Sequence, residues 1–589
     1  MLGNIIEVSD NIVKIKLQID LDTVPNLVNN YVIFDDDKKI VGEIIKIKED
    51  IAYVNLLGQI INKKFVFGVI VKPPFKSKVK IISEEKVSYI IGMEQYDEKK
   101  DLYLGKSPIY EDVSIGVKID TFFNNHFAIF GSTGSGKSCS VARILQNLLE
   151  KEGVIPYRSN IFLFDPYGEY YNAFHNINKK ALDINYKLYT TDLKATKSSI
   201  LRIPLWLLTV DDIAILLEIK KSSQLAVIEK ALKFVTVFNS NNEEMIKQKN
   251  SIIASAIMNI LTSGKTPVQI RDQIFSILTC YNTPQLNLDT EIIEPGYIRK
   301  LKQCIMIDNT GKIREIEMLM KFFNSFIDNS IELKLPDGSF KYTLEELKDG
   351  LEFALISEGI LKSDKVYDEY NFIKLKLDNL IKSEYSEYFK CEEYETVEQF
   401  ICNLLITKEK KKAQLVNFNL NYVDDRFGKI ITKIFSKILF DYARKLKKKA
   451  SFPIHIILEE AHRFAQKDND NEIIGYNIFE RIAKEGRKYA VIMGFISQRP
   501  KEISETCLSQ CQNFLVFKLL HLNDLKFITE IIPNVNEKQV EKFKILPPGT
   551  CMAFGNAFKM PVFIKFEMPV PAPNSGNAKI SDIWFIDKI

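Results

Sequence analysis

Histidine and tryptophan are scarce in this chain, with five and two among its 589 residues. The eight cysteines include no C-x-x-C pair, and no Cys or His spacing is typical of a zinc site. No apolar run approaches the length of a membrane span, and Met1–Glu7 lacks the basic region and apolar stretch of a signal peptide. These absences predict a cytoplasmic chain with reduced thiols and no membrane partner.

Neither sign of charge dominates, because the chain has 80 Lys and Arg residues and 76 Asp and Glu residues, which gives a formal net charge of +4. Any nucleic-acid site is therefore expected to be a local patch rather than a global field. Apolar residues make up 46% of the chain, an ordinary value for a globular protein. The length predicts about three or four domains.

A complete phosphate-binding loop, G-x-x-x-x-G-K-[ST], occupies Gly131–Ser138. The apolar strand Phe127–Phe130 leads into it and an amphipathic helix follows, a context that a chance Gly/Ser turn would lack. Backbone N–H groups and the helix N-terminus then point at one place, which suits a triphosphate. Lys137 would reach the β- and γ-phosphates, and Ser138 would offer Mg²⁺ a hydroxyl ligand. The candidate nucleotide-binding residues of this loop are Gly131, Thr133, Gly134, Ser135, Gly136, Lys137, Ser138 and Cys139.

Two adjacent acids, Glu459 and Glu460, follow the apolar strand Ile454–Leu458. An NTPase needs an acid for the hydration shell of its metal and a base for the attacking water. We expect Glu459 to face Mg²⁺ and Glu460 to polarise the water. The alternative is that both glutamates begin a solvated helix, where acids suit the helix dipole. The phosphate-binding loop elsewhere in the chain favours the catalytic interpretation.

Polar residues around a further apolar strand, Tyr489–Ser497, complete the candidate site. Gln498 follows the strand, and its amide could sense the γ-phosphate and orient the water; the alternative is a turn residue at a strand end. Arg481 and Arg487 precede the strand on a helix. Either could neutralise charge on the transferred phosphoryl group, often from a neighbouring subunit, or could belong to a solvated helix end.

The periodicity of apolar residues changes along the chain and predicts an α/β fold. Period-two alternation predicts a small closed β-barrel or sandwich at the N-terminus, and buried strands followed by helices predict a parallel sheet. Between these core segments the chain is mostly amphipathic helix, which we interpret as a large helical insertion. The predicted parts are a barrel (1–85), two core segments (86–175 and 413–568), the insertion (176–412) and a Pro-rich tail (569–589).

Taken in order, the motifs resemble those of the HerA-type ATPases of the FtsK–HerA group. The matching segments are HFAIFGSTGSGKS (126–138), DPYGEY (165–170), LEEAHRF (458–464), EGRKYA (485–490), SQRP (497–500) and LPPGT (546–550). The resemblance spans nearly the whole chain. It implies a RecA/FtsK-like ATPase core with the family's small N-terminal barrel and helical bundle.

The resemblance also implies ATP and Mg²⁺ between the subunits of a homohexamer, with double-stranded DNA in the central pore. Asp165 would lie close to the metal and nucleotide, and Glu169 would support that loop. Arg481 and Arg487 compete for the charge-neutralising role. The tail resembles a C-terminal strap that braces an adjacent subunit. One departure is Asn124-Asn125, where the family often carries a basic residue.

We therefore expect an ATP-driven DNA translocase or helicase that acts with an effector protein, because the chain has no nuclease or NADase motif of its own. Relatives imply a NurA-type or other nuclease, or a sirtuin-like NADase, in anti-phage defence or DNA-end processing. The alternative is a nucleotide-bound hexameric scaffold that regulates an effector. Lysine clusters at 408–412 and 445–449 could touch DNA phosphates, although such runs are more often solvated helix ends.

Overall fold

A computed structural model gives the fold of the chain. It describes residues 1–19, 27–36, 38–61, 64–93, 96–196, 198–238, 243–328, 333–336, 338, 340–357, 364–391, 396–531, 537–576 and 580–585. Two compact units result: the first comprises Met1–Ser199, Asn403–Lys467 and Ile478–Ile589, and the second comprises Ile200–Cys402 and Asp468–Asn477. Among the described residues, no helix has the length and apolar character needed to cross a lipid bilayer.

The first unit opens with a closed β-barrel. Its strands are β1 (Gly3–Val8), β2 (Ile12–Leu17), β3 (Tyr31–Asp35), β4 (Ile40–Lys48), β5 (Ile51–Ile61), β6 (Lys64–Phe67) and β7 (Lys78–Ile81). They follow the order β2-β1-β7-β3-β4-β5-β6, and the additional pairing of β2 with β5 closes the sheet. The alternation in β2 buries Val13 and Ile15 and leaves Lys16 exposed. The predicted small barrel is confirmed.

A twelve-stranded sheet forms the rest of the first unit's core. Its strands are β8 (Asp101–Lys106), β9 (Ser114–Lys118), β10 (His126–Phe130), β11 (Ile161–Asp165), β12 (Tyr186–Thr190), β13 (Ser199–Ile200), β16 (Leu415–Asn419), β17 (Ile454–Leu458), β18 (Val491–Ser497), β19 (Cys511–Val516), β20 (Thr550–Gly555) and β21 (Val562–Lys565). The order is β13-β12-β16-β11-β17-β18-β10-β19-β20-β21-β8-β9. The strands from β12 to β19 in this order are parallel, and antiparallel pairings add β20, β21, β8 and β9.

The carboxyl ends of the central strands meet at one edge of this sheet. Phe130 at the end of β10 pairs with Ser497 at the end of β18, and Phe164 of β11 pairs with Leu458 of β17. In open parallel sheets this edge is where ligands bind. The segments that follow these four strands contain most of the candidate site residues.

Helices connect these strands. Those of the first unit are α1 (Glu84–Ile91), α2 (Ile119–Phe123), α3 (Lys137–Leu149), α4 (Tyr171–Phe174), α5 (Ile177–Lys180), α15 (Asp425–Lys445), α17 (Ile478–Glu485), α18 (Glu505–Ser509), α19 (Leu522–Ile531), α20 (Glu537–Ile545) and α21 (Ile580–Trp584). In α3 the buried residues Val141, Ile144, Leu145 and Leu148 form the apolar stripe that the sequence spacing predicts. This stripe packs α3 into the core and so fixes the phosphate-binding loop at its N-terminus.

The second unit is mainly helical, as predicted for the insertion. It contains α6 (Val210–Leu216), α7 (Leu225–Phe238), α8 (Glu243–Leu261), α9 (Pro267–Cys280), α10 (Leu301–Cys304), α11 (Ile316–Asn324), α12 (Leu344–Ser357), α13 (Asp364–Lys382), α14 (Val397–Leu405), α16 (Asp470–Ile473) and the hairpin β14 (Glu291–Glu294)–β15 (Tyr297–Lys300). Phe353 packs edge-on against Phe234 and Tyr281 in its core. The unit begins later than residue 176, because β12 pairs in parallel with β16 and continues the core sheet.

Candidate active site

The phosphate-binding loop joins β10 to α3. Gly134 and Gly136 have φ values of 74° and 97°, which side chains rarely adopt. A Cβ atom on Gly136 would also lie 2.6 Å from the backbone nitrogen of Gly549. That nitrogen donates a hydrogen bond to the carbonyl of Ser135 at 2.9 Å. The loop therefore requires glycine at 136, and the turn at Gly549 supports it from behind.

Two side chains of the loop suit a phosphate group. Lys137 is 7% exposed, and its Nζ donates to the carbonyl of Ser132 at 3.3 Å. The buried Oγ of Ser135 has no hydrogen-bond partner among the described residues. A buried ammonium and an unpaired hydroxyl beside oriented backbone N–H groups form an anion-binding cradle.

The turn after β11 is shaped by Asp165. Its buried carboxylate accepts hydrogen bonds from the backbone N–H groups of Glu169 at 3.1 Å and Tyr170 at 3.0 Å. Burial raises the pKa of Asp165, and these backbone donors oppose that effect. The carboxylate therefore stabilises the turn through these hydrogen bonds. A nucleotide contact by Asp165 stays a prediction.

Glu169 is the acid that the turn presents to the phosphate-binding loop. Burial raises the pKa of Glu169, and a side-chain hydrogen bond with Ser138 opposes the rise. The sequence predicted that Glu169 supports the turn and that Asp165 lies near the metal. Asp165 accepts the backbone hydrogen bonds of the turn, and Glu169 meets Ser138, the candidate metal ligand; the roles expected for both acids stay predictions.

Glu459 follows β17 and is 2% exposed. Its backbone N–H donates to the carbonyl of Phe164 at 3.1 Å, and its Oε2 accepts a hydrogen bond from the Tyr170 hydroxyl at 2.6 Å. Burial raises the pKa of Glu459 to about 8, although Tyr170 and then Lys137 favour the charged form. Glu459 is therefore a deeply buried acid whose charge depends on nearby donors and cations.

Glu460, the next residue, has a different environment. It adopts the left-handed conformation, with a φ of 48°, and it is 8% exposed. Its Oε2 lies 3.2 Å from Nδ1 of His462, which is also 3.0 Å from Oγ of Ser497. The left-handed backbone at Glu460 directs the side chains of the two consecutive glutamates into different surroundings.

Gln498 meets the phosphate-binding loop directly. Its Oε1 accepts a hydrogen bond from Oγ1 of Thr133 at 2.8 Å. The backbone N–H of Gly131 donates to the carbonyl of Ser497 at 3.3 Å. The structure thus brings together the loop, the two acids after β17 and Gln498, as the sequence motifs suggested.

Of the two candidate arginines, Arg487 lies away from this edge. Arg487 follows α17, three residues before Ala490, whose carbonyl accepts from the N–H of Ile454 at the start of β17. The positive charge of Arg487 also helps to lower the pKa of His126, the first residue of β10. Arg487 therefore sits at the amino ends of the strands, opposite the phosphate-binding loop of the same chain. Arg481 lies within α17, on the segment that leads to this opposite edge.

The C-terminal tail covers part of the site. Nε2 of Gln146 in α3 donates to the carbonyl of Pro571 at 2.9 Å, and the N–H of Asn574 donates to the carbonyl of Glu169 at 2.9 Å. The described tail residues therefore lie over α3 and the turn that carries Glu169. Bracing of a neighbouring subunit by the tail stays a prediction.

Sequence reasoning gave no site role to Tyr170 or to the turn at Gly549. Both lie in segments that were recognised as motifs, DPYGEY and LPPGT, but the letters do not show which groups they contact. Tyr170 is separated from Glu459 by 289 positions. Only the fold could reveal that pairing.

The donor set fits Mg²⁺. The ion prefers oxygen ligands and keeps several waters while binding substrate phosphates. Ser138 and Glu459, with Glu169 and Glu460 close by, offer oxygens beside the loop. Among the described residues, no cluster of three or more His, Cys, Asp or Glu side chains could hold a metal by itself.

Comparisons with known proteins give the same resemblance as the motifs. The family model for the helicase HerA central domain matches residues 102–303. A DNA double-strand break repair helicase HerA from Sulfolobus acidocaldarius is 24% identical over 520 residues, covering 87% of this chain and 77% of the relative. HerA helicases from Sulfurisphaera tokodaii and Saccharolobus solfataricus are 27% and 29% identical over 43% and 41% of this chain. In these two matches the chain spans about half of the relative's length, 49% and 47%. The resemblance to HerA is confirmed.

Two solved structures are also similar. The VirB4 structure from Thermoanaerobacter pseudethanolicus has a TM-score of 0.40 and 12% identity, covering 79% of this chain and 96% of that chain. The bacterial conjugative coupling protein TrwB has a TM-score of 0.41 and 11% identity, covering 84% of this chain and 95% of that chain.

Proposed function

We propose that this chain, a HerA-type ATPase, hydrolyses ATP as a ring of six subunits and uses the energy to move along double-stranded DNA. The observation that carries the proposal is the convergence of the phosphate-binding loop, the acids after β17 and Gln498 at one sheet edge. Phosphoryl transfer to water depends mainly on positioning and on charge stabilisation, and this arrangement offers groups for both.

Each group has a role that its surroundings support. Lys137 and the backbone N–H groups of the loop would bind the β- and γ-phosphates. Ser138 and Glu459 would hold Mg²⁺, which when bound supplies further neutralisation of phosphate charge. Glu460 would accept the proton of the attacking water, and Gln498 would orient that water beside Thr133.

The position of Arg487 supports a ring. Charge develops on the transferred phosphoryl group, and an arginine that approaches it lowers the barrier. Arg487 lies at the sheet edge opposite its own phosphate-binding loop, and it is exposed. An arginine placed in this way can reach a nucleotide only on a neighbouring subunit. A closed ring gives every subunit such a neighbour.

Double-stranded DNA is proposed as the substrate track because the relatives are named double-strand break repair helicases. Phosphate contacts would carry this binding. Lys410 and Lys411 are exposed, but Lys412 is turned inward, with its Nζ donating to the carbonyls of Tyr157 and Ser159 at 2.8 Å. The 408–412 cluster is therefore a smaller patch than its sequence suggests.

An effector protein is proposed as a partner because the barrel exposes large apolar side chains. Ile70 is 95% exposed, Phe75 is 62% exposed and Val71 is 53% exposed. Clustered apolar side chains of this kind suit a protein–protein interface. We propose a nuclease or a sirtuin-like NADase as the effector, in anti-phage defence or DNA-end processing.

The test is ATP turnover by the full chain with and without linear duplex at constant ionic strength. We expect duplex to raise the rate, regardless of base sequence, and rising salt to weaken the effect steeply. Glu460→Gln is the matched inactive control, and light scattering reports whether the active species is a hexamer. Turnover that no DNA changes would reject the translocase and leave the scaffold alternative.

A further inference from the structure

One ring nitrogen of His462 lies close to two oxygens from different segments. Nδ1 lies 3.0 Å from Oγ of Ser497 and 3.2 Å from Oε2 of Glu460. When Nδ1 carries its hydrogen, it can donate to one of these oxygens at a time; without that hydrogen it accepts the Ser497 hydroxyl. Oε2 of Glu460 is buried and makes no hydrogen bond among the described residues, so its approach to Nδ1 is a close contact that is not yet a hydrogen bond. His462 is therefore placed to decide whether this oxygen is paired.

The same histidine touches the strand that contacts the nucleotide loop. Ser497 is the last residue of β18, and its Oγ also accepts the backbone N–H of Arg499 at 2.9 Å. The next residue, Gln498, accepts the hydroxyl of Thr133. A continuous set of contacts thus links Thr133 in the phosphate-binding loop to Glu460 through the end of β18 and His462.

The main chain of Glu460 is fixed, but its side chain needs a contact to hold one orientation. The residue has a left-handed conformation, and its carbonyl accepts the N–H of Arg463 at 2.8 Å, so the main chain is fixed. The side chain retains its own rotamers, and a general base that is misplaced by about 1 Å can cost about 100-fold in rate. A contact to one carboxylate oxygen fixes the direction of the other.

We propose that His462 is a positioning residue that holds Oε2 of Glu460, leaving Oε1 for the attacking water, and ties it through Ser497 to Gln498. The inference rests on the proposed ATPase function and names the group that aligns its general base. His462 touches neither the nucleotide nor the water in this scheme. It acts on turnover rather than on ATP binding.

The experiment compares His462→Ala, His462→Asn and Ser497→Ala in the full chain by steady-state ATPase and by nucleotide binding. For His462→Ala we expect kcat to fall by about 10- to 100-fold, with the KM and Kd for ATP within about threefold of wild type. Asparagine can place an amide donor near the Nδ1 position, so His462→Asn should recover most of kcat. His521→Ala, which removes an exposed histidine paired with Asp524, is the matched control and should not change turnover.

A double-variant cycle separates positioning from general damage. In a Glu460→Gln background, adding His462→Ala should lower the residual rate no further, because the aligned group is already absent. The proposal is overturned if His462→Ala lowers the rate as much in the Glu460→Gln background as in the wild type. It is also overturned if His462→Ala keeps a wild-type kcat, or if it lowers ATP affinity as much as it lowers kcat. If His462→Ala does not fold, Ser497→Ala decides, with an expected drop in kcat of about 3- to 10-fold. Wild-type turnover of Ser497→Ala would then count against it.

The outcomes also distinguish this inference from the function on which it rests. If wild-type turnover does not depend on Glu460, the proposed function fails and the inference fails with it. If turnover depends on Glu460 but not on His462 or Ser497, only the inference fails.

Discussion

Three glutamates surround the phosphate-binding loop, and each has a different partner. Glu169 meets Ser138, Glu459 accepts the Tyr170 hydroxyl, and Glu460 faces His462. Burial raises the pKa of Glu459 to about 8. Glu460 instead lies beside His462, which also contacts Ser497 at the end of β18. Because environment sets what a carboxylate can do, these partners support a metal-side role for Glu459 and a water-side role for Glu460.

The first prediction tests these roles with single substitutions. Lys137→Ala should abolish turnover and weaken ATP binding, because the charge opposite the β- and γ-phosphates is lost. Glu460→Gln should bind ATP normally and lose about 100-fold or more in kcat, because an amide cannot accept the water's proton. Steady-state ATPase and nucleotide-binding assays measure both, and exposed Glu505→Gln is the control that should match wild type. A near-normal rate for Glu460→Gln would mean that another group is the base.

At the scale of elements, the parallel sheet sorts residues by the strand end at which they fall. The loop after β10, the acids after β17 and Gln498 after β18 share the carboxyl edge. The turn that carries Arg487 precedes β18 and lies at the amino edge. A chain built in this way cannot bring its own Arg487 to its own nucleotide.

The second prediction follows from that separation. Arg481→Ala or Arg487→Ala should cut turnover by about 10³-fold if the residue acts across a subunit boundary. Mixing such a subunit with a Lys137→Ala subunit should restore some activity, because some interfaces then combine an intact loop with an intact arginine. Arg158→Ala removes another exposed arginine and should behave as wild type. If no mixing ratio restores activity for either arginine, action in trans loses its support.

The third prediction concerns the start of β10, where His126 is buried and its Nδ1 accepts the N–H of Met493 at 2.8 Å. Burial, and then Arg487, lower the pKa of His126 to about 4. The unfolded chain, with a histidine pKa near 6.5, therefore binds more protons between these values, and the free energy of unfolding falls as the pH falls. Between pH 7.5 and pH 5, the titration of His126 should lower the free energy of unfolding by about 2 kcal/mol.

Urea unfolding of wild type and His126→Asn at both pH values measures this contribution. Asparagine keeps an acceptor for Met493 but does not titrate. The variant should show a smaller decrease in the free energy of unfolding on acidification, whatever its absolute stability. Equal decreases in the two proteins would show that His126 is not the group responsible.

At the scale of the whole molecule, α20 connects the barrel to the phosphate-binding loop. Nζ of Lys542 lies 3.6 Å from Oε1 of Glu43 in β4 and donates to Oδ1 of Asn29 at 2.9 Å. Seven residues later, Gly549 donates to the carbonyl of Ser135 in the loop. The barrel is therefore attached to the same segment that supports the loop from behind.

The fourth prediction tests this attachment. Lys542→Ala should lower the free energy of unfolding by about 2 kcal/mol, because the buried Glu43 carboxylate loses its cation. Adding Glu43→Gln should recover part of that loss. Lys544→Ala removes a lysine from the exposed pair with Glu541 and should have almost no effect. Additive losses in a double-variant cycle of Lys542 and Glu43 would show that the two groups do not interact.

The sequence alone was sufficient to predict the elements that local patterns encode. The glycine spacing at Gly131–Ser138 specifies its loop because the positive φ values at Gly134 and Gly136 depend on those residues themselves. Alternation in β2 and the stripe on α3 likewise depend only on nearby positions. The barrel, the core sheet and the helical unit could be predicted for this reason, whereas the core strand β12 was not separated from the insertion.

The partners of the site residues were decided by the tertiary structure. Tyr170 and Glu459 are 289 positions apart, and Thr133 and Gln498 are 365 apart, so no local pattern encodes either contact. The same is true of Glu169, which meets Ser138 of a different segment. The sequence determined which acids and cations this protein carries near its strand ends. Only the packing of distant segments determined which of them are buried, paired or strained, because burial and pairing depend on neighbours that the fold brings together.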